Sequence, residues 1–418
     1  MKINISSFFT TIASLSVIGF PLVAGLAEAF NIPSTLLSIL MRGIIILCSI
    51  VLLLRMQLPN INTSNILFVC ISIFWTIYIQ RIFYYTIFDF SPTKYELSHY
   101  IVWGVGTCFL PMIAIFLARS MTSAKNLFQA FFYICILAMI LGIFQAESTT
   151  YVDDRIIFLG RLQLDSLNPI SLGSLGAVGI ILSVWLFIGK INLKPRILHF
   201  FLALSGSSFG FYLLLLSGSR GPLVAFLLVI VFIILSANTK VYLKTFLIIF
   251  AFFIPLVFVV STINVDLFSS TANRITNALM GQDMATSTRI LSYTGAWGVF
   301  VENPVFGGSM EDPITQFYPH NVFLEVLMST GILGFIPFFV SIGLGLYYAY
   351  RLIRTNSDYA WIGSLYALFL FQAQFSGSLY QMHAVWVLLA LTALAYFQER
   401  RNPVAFSLRS DSKILPTV

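Results

Sequence analysis

Three side chains able to bind anions or move protons sit in polar interruptions of an apolar chain. Arg220 lies in Leu216–Pro222 (LSGSRGP), Arg289 in Thr286–Ile290 (TSTRI), and His320 in Phe317–Asn321 (FYPHN). Small residues at 217–219 and Gly221 let backbone approach a ligand closely, and Pro222 suits a first helical turn. The Arg220 guanidinium is a planar fork matched to phosphate oxygens, so Ser219 and Arg220 read as an anion cradle. Arg289 opens a segment in which Ile290, Tyr293, Trp297 and Phe300 recur at helical spacing, capped by Thr286 or Ser287 and ended by Pro304. A cation in a first turn opposes the helix dipole, which points to an external anion. The apolar side of that helix, with Trp297, fits a membrane interface.

His320 precedes Asn321, which can cap a helix beginning at Val322; Gly331 and Gly334 then break or bend it. The field of a helix N-terminus disfavours imidazolium, so His320 is expected to be neutral and able to accept a proton. Plainer readings stay open for each motif: a surface histidine, a tight turn with a snorkelling arginine, and a solvated arginine on a loop helix.

Weaker candidates surround these. Arg161 and Asp165 are four apart and can pair with each other. Asn168-Pro169 signals helix entry. Arg42 and Arg81 lie inside apolar runs, where a charge costs about 2.5–3.5 kcal/mol, and are expected to line a polar space. Asp153, Asp154, Asp283, Glu302, Glu311 and Asp312 form no paired-acid pattern, and no metal-ligand, nucleotide or nucleophile-elbow motif is present. Cys48, Cys70, Cys108 and Cys135 show no CxxC spacing and read as packed thiols.

The elements that must hold these residues are membrane helices. The chain has 418 residues, 58% hydrophobic and 9% charged, against about 25% charged in a soluble globule. The expected fold is all-α and polytopic, one integral membrane domain over 1–418 with about twelve spans. Their centres fall near Ser16, Ile46, Ile77, Leu110, Leu137, Ile180, Phe209, Val229, Phe252, Ser341, Leu368 and Leu389. The stretch Phe8 to Phe30 reads as a retained span rather than a signal peptide. Lysine and arginine gather in alternate gaps, and the +7 net charge belongs to the positive-inside pattern rather than to nucleic-acid binding. Both termini are then cytoplasmic, with a tail over 399–418. Two larger loops, 146–168 and 264–321, fall outside, and the second is expected to carry the chemistry.

Pro319-His320-Asn321 followed by Gly331 and Gly334, Arg289 with Trp297, Pro304 and Gly307 downstream, and Ser217 to Arg220 opening a span resemble the O-antigen ligase and polymerase superfamily of bacterial inner membranes. The resembling portion runs from about Phe201 to Gly343. The resemblance implies a GT-C-like bundle with short helices in its large periplasmic loop. It also implies transfer of a glycan from undecaprenyl pyrophosphate, without metal or other cofactor. His320 would serve the acceptor hydroxyl; Arg220, Arg289 and Arg161 would hold the pyrophosphate. Ser219, Asn321, Gly331 and Gly334 would support them. The implied partners are the lipid-linked donor, an acceptor (another lipid-linked repeat or lipid A-core), membrane lipids and a chain-length regulator. Ligases of this kind carry two threonines where Phe335 and Ile336 stand here, and leucine where Tyr293 stands, which favours a polymerase over a ligase. A lipid-linked oligosaccharide flippase is the third reading; its polar site would sit at mid-membrane between repeated halves, and no repeat is visible here.

Overall fold

Long apolar runs without a donor or acceptor to spare must close their backbone hydrogen bonds internally, and in this chain they do so as helices. The computed structural model describes residues 5–55, 66–88, 95–118, 121–148, 151–153, 156–158, 162–164, 166–188, 196–237 and 284–401, with positions 273, 276 and 280. Five helices come first: α1 (Ile5–Ala29), α2 (Ser34–Arg55), α3 (Ile66–Ile87), α4 (Leu97–Phe116) and α5 (Ala124–Gln145). Then follow α6 (Pro169–Phe187), α7 (Arg196–Leu216), α8 (Arg220–Ser236) and α9 (Met284–Glu302). The last are α10 (Val322–Arg354), α11 (Ala360–Gln372) and α12 (His383–Arg401). Eight of the described helices are long and apolar enough to cross a membrane, and α8 and α11 are shorter apolar helices. Eleven of the twelve expected span centres fall within these helices. The centre near Phe252 lies outside the described residues, as do Arg161, Asp165 and the tail beyond 401. The loop between α5 and α6 carries two small antiparallel ladders, β1 (Glu147–Ser148) with β4 (Leu162–Gln163) and β2 (Tyr151–Asp153) with β3 (Ile156–Phe158).

α1 packs on α2 and α5, α3 on α10, and α6 on α7. The α6–α7 seam is a close backbone approach: a Cβ on Gly176 would meet the Gly210 carbonyl oxygen at 2.4 Å, and one on Gly210 would meet that of Gly176 at 2.6 Å. Small residues are what allow membrane helices to pack this tightly. Local signals act as the sequence implies. Pro169 opens α6, and Asn168 caps it by accepting from the Ser171 N–H at 2.9 Å.

The bundle has two chemically different ends. One gathers Ser6 with Thr122, the Tyr359 hydroxyl with the Thr122 carbonyl, the Met121 N–H with Gln398, and Arg354 with the Ala237 carbonyl. These segments adjoin the lysine- and arginine-rich gaps. The other end gathers the starts of α8, α9 and α10, and holds every motif singled out above that the structure describes.

α10 is broken there. Gly331 has φ 60° and ψ −163°, so a short helix, 322–330, precedes a long one. The break is closed by the segment after α9: Ile332 donates to the Pro304 carbonyl at 2.9 Å, and Gly308 donates to that of Met328 at 2.9 Å. Arg81 of α3 pins the crossing, its Nη2 donating to the Gly307 carbonyl at 2.6 Å and its Nε to that of Ser329 at 3.3 Å. Its guanidinium also lies 4.2 Å over the Tyr85 ring. Arg81 was expected to line a polar space; instead backbone carbonyls take its charge-assisted donors, which is how an arginine at membrane depth recovers its solvation. Arg42 lies 4.7 Å over the Trp103 ring.

Candidate functional site

The chain reaches His320 through a tight loop. The Asp312 N–H donates to the Phe317 carbonyl at 2.9 Å, and the Asp312 carboxylate accepts from the Ile314 and Thr315 N–H groups at 3.0 and 2.8 Å. It also accepts from the Ser292 hydroxyl of α9 at 2.6 Å and from the Thr315 hydroxyl. Asp312 therefore ties the loop to α9. His320 then takes a left-handed φ of 57°, a conformation that costs a non-glycine residue of order 1 kcal/mol and has to be imposed by its surroundings. Those surroundings are rings, with Tyr318 edge-on at 4.6 Å and Phe317 at 5.4 Å. Among the described residues nothing bonds the buried Nδ1 of His320. Asn321 caps α10 as anticipated, accepting from the Leu324 N–H at 3.0 Å, and its amide donates to the Gln374 carbonyl at 3.3 Å.

His320 is held neutral, its pKa lowered to about 4. The cause differs from the helix-end field anticipated from sequence. Burial contributes most and the Arg289 charge adds to it, while Asp312 opposes both. Arg289 is thus near enough for its field to reach His320, and it reaches Tyr318 as well.

The two arginines converge through Thr286. Arg220 Nη1 donates to Thr286 Oγ1 at 3.4 Å, and Thr286 stands one turn before Arg289 on α9. Both helices start earlier than the sequence implies. α9 begins at Met284, so Thr286 lies inside it, and α8 begins at Arg220, with Pro222 in its first turn. Ser219 is the residue before α8 but gives it no side-chain cap, and its buried hydroxyl is unpartnered among the described residues. Gly334 abuts Thr330, whose Oγ1 would lie 2.1 Å from an added Cβ. Ile290, Leu291, Trp297 and Val301 of α9 are exposed, as an interface helix requires.

Beneath His320 lies a set of buried acids and phenols, of which sequence reasoning had named only Glu311. Glu325 is 2% exposed, and its two oxygens accept the Leu379 N–H at 3.0 and 3.1 Å. Glu311, 3% exposed, accepts from the Tyr100 hydroxyl at 2.9 Å. The Tyr380 ring lies 4.8 Å from Tyr100, 5.8 Å from Tyr95 and 6.3 Å from Tyr318. Burial raises the phenols of Tyr318, Tyr95 and Tyr380, so they stay protonated donors. The available signal was Glu325, a lone carboxylate in an apolar run.

The described residues thus form a helical bundle with Arg220, Arg289 and a neutral imidazole, His320, at one end. Residues 205–339, from within α7 to the middle of α10, match the family described as O-antigen ligase. This segment, about a third of the chain, is thus similar to the O-antigen ligase/polymerase superfamily. No curated protein and no solved structure matches it.

Proposed function

We propose that this protein transfers a glycan from undecaprenyl pyrophosphate to an acceptor sugar on the periplasmic side of the bacterial inner membrane, joining repeat units of a surface polysaccharide. The observation that carries the reading is the meeting of His320, Arg289 and Arg220 at one end of the bundle. The end bearing the basic gaps would face the cytoplasm with both termini, and 264–321 would be the catalytic loop. Transfer is one inverting displacement. The acceptor oxygen bonds to the anomeric carbon as the bond from that carbon to the pyrophosphate oxygen breaks. The leaving group keeps the electron pair, held by Arg220 and Arg289, and His320 takes the acceptor's proton and later returns it to water. A negative donor beside Arg289 offsets the Arg289 part of the field that weakens His320 as a base, so basicity rises once substrate is bound. Arg161, outside the described residues, remains a third candidate for the pyrophosphate.

Phe335, Ile336 and Tyr293 favour a polymerase over a ligase acting on lipid A-core. Deleting the gene in its host and resolving the surface glycan on a gel tests both. A single repeat left on the core supports the polymerase. Loss of all core-attached glycan, with lipid-linked polymer accumulating, supports the ligase. An unchanged ladder rejects both. His320→Ala and Arg289→Ala should then yield inserted, full-length, inactive protein.

A further inference from the structure

Arg42 and Arg81 are both arginines inside apolar helices, but they are solvated differently. Arg81 gives its donors to two backbone carbonyls. Arg42 has no hydrogen bond or ion pair among the described residues, and its guanidinium rests against the Trp103 ring at 4.7 Å. A ring face attracts the charge but accepts none of the five N–H donors, so the hydrogen bonding of the fork is left for an incoming acceptor. The side chain is half-buried and its nitrogens keep accessible surface. Ile39 and Leu47 on neighbouring turns of α2 are exposed, and an added Cβ on Gly43 would meet nothing within 4 Å, so the guanidinium is reachable from the lipid. A cation so placed is costly unless an anion comes to it.

A line of rings joins Arg42 to His320. Trp103, His99 and Tyr95 recur at four-residue spacing, so they form one stripe at the start of α4. The Trp103 and His99 rings lie 5.7 Å apart, and those of His99 and Tyr95 5.5 Å apart. Tyr95 lies 6.3 Å from Phe317, and Phe317 lies 5.4 Å from His320. Every ring in this line is half-buried. α2 and α4 both begin at the end of the bundle that holds His320. Arg42 and Trp103 each sit about two turns in from those starts, on the order of 10 Å deeper. The line therefore has a cation at its deep, lipid-facing end and the candidate base at its other end. Sugar rings present apolar C–H faces that pack on aromatic rings, and a guanidinium fork matches phosphate oxygens. The order of the two fits a glycan whose lipid pyrophosphate lies below it.

Joining repeat units takes two lipid-linked glycans. The donor gives up its pyrophosphate, at Arg220 and Arg289. The acceptor keeps its own, one repeat unit away from the hydroxyl that His320 serves. Two pyrophosphates need two cationic sites. We infer that Arg42, over Trp103, binds the pyrophosphate of the acceptor lipid, and that Trp103, His99, Tyr95 and Phe317 lead its glycan to His320. The inference rests on the repeat-joining reading. A phospholipid phosphate would satisfy the guanidinium equally well, but it has no glycan for the line of rings to carry.

The test uses full-length protein in phosphatidylcholine nanodiscs and a lipid-linked repeat unit whose acceptor hydroxyl is methylated, so that it can only donate. Two acceptors carry the same repeat-unit oligosaccharide. One is linked to undecaprenyl pyrophosphate through a methylene in place of the glycosidic oxygen, so that it can only accept; the other is the methyl glycoside. Arg42→Gln should raise KM for the pyrophosphate acceptor about tenfold or more, with kcat, donor KM and methyl-glycoside KM within about twofold. Arg42→Lys keeps the charge without the fork and should raise the same KM about threefold, which carries the test if Arg42→Gln does not insert. Tyr95→Leu should raise KM for both acceptors and not for the donor. An unchanged KM for the pyrophosphate acceptor in folded Arg42→Gln or Arg42→Lys, or an equal rise for the methyl glycoside, would overturn the site. So would a phospholipid site, seen as Arg42-dependent thermal stabilisation by phosphatidylglycerol with every KM level. Calorimetric binding of the methylene-linked acceptor that is lost in Arg42→Gln, in a native protein that transfers nothing, sinks the transfer reading alone.

Discussion

Arg220 Nη1 and Thr286 Oγ1 lie 3.4 Å apart, so the arginine that begins α8 is tethered to the first turn of α9, one turn from Arg289. Sixty-six residues separate the pair in sequence. The tether fixes Arg220 against the helix that carries Arg289. Thr286→Val keeps the shape and removes the acceptor. A long hydrogen bond of this kind contributes about 0.5–1.5 kcal/mol, so kcat/KM should fall about 2- to 10-fold. Arg220→Ala should cost more than 100-fold if the guanidinium itself holds pyrophosphate. Equal losses in the two variants would contradict a direct role for Arg220.

The pH dependence has a definite sign. His320 in the free protein titrates at about 4, below the ordinary histidine value, so it is neutral through the physiological range. kcat/KM should stay level from about pH 8 to about pH 5 and drop only as pH falls toward 4. Bound pyrophosphate offsets part of the Arg289 field, so the acid limb of kcat should lie at higher pH than that of kcat/KM. Asp312 raises the His320 value, and Asp312→Asn should therefore push the kcat/KM limb lower. A limb in kcat/KM near 6.5 would mean that an unperturbed histidine, or another group, is the base.

The break in α10 can be tested by glycine substitution in both directions. An added Cβ on Gly331 would stand 2.4 Å from the Val305 carbonyl atoms in a left-handed conformation; on Gly343 it meets nothing within 4 Å. Gly331→Ala should destabilise by about 2–4 kcal/mol, combining overpacking with backbone strain. Gly343→Ala should be neutral or stabilising by up to about 1 kcal/mol, because alanine is the better helix former. Thermal denaturation of the detergent-solubilised protein reads the order, and a Gly331 variant as stable as the native chain would refute the steric account.

Arg81 predicts a different phenotype from Arg289. Its donors go to the Gly307 and Ser329 carbonyls, so its loss frees the crossing of α10 by the segment after α9. Arg81→Lys keeps the charge but not the planar fork, and should shorten the thermal half-life nearly as much as Arg81→Leu. Turnover per surviving folded molecule should drop less than about tenfold. A loss as severe as in Arg289→Ala, with normal half-life, would place Arg81 in the substrate site instead.

What could be read along the chain was the local physics. Hydropathy located eleven spans now seen as helices; the capping chemistry of Asn168 and Asn321 placed two helix starts; Gly331 marked a real break. The start of α8 was misplaced by two residues, read from Pro222, and that of α9 by three or four, because serine and threonine near a helix end look like caps whether or not they bond. His320 was correctly singled out as neutral, but for an incomplete reason. Arg289 and the burial that depress it are set by neighbours from other parts of the chain.

By itself, then, the order of residues determined a helical membrane bundle and a short roster of cationic and titratable groups, since composition and near-neighbour spacing govern both. Tertiary structure alone decided which of them meet. Arg81 reaches a carbonyl 248 positions away and Gln372 bonds a serine 198 positions away. Such pairings come from which helix faces pack together, and two faces of one apolar helix look alike in sequence until a partner covers one of them.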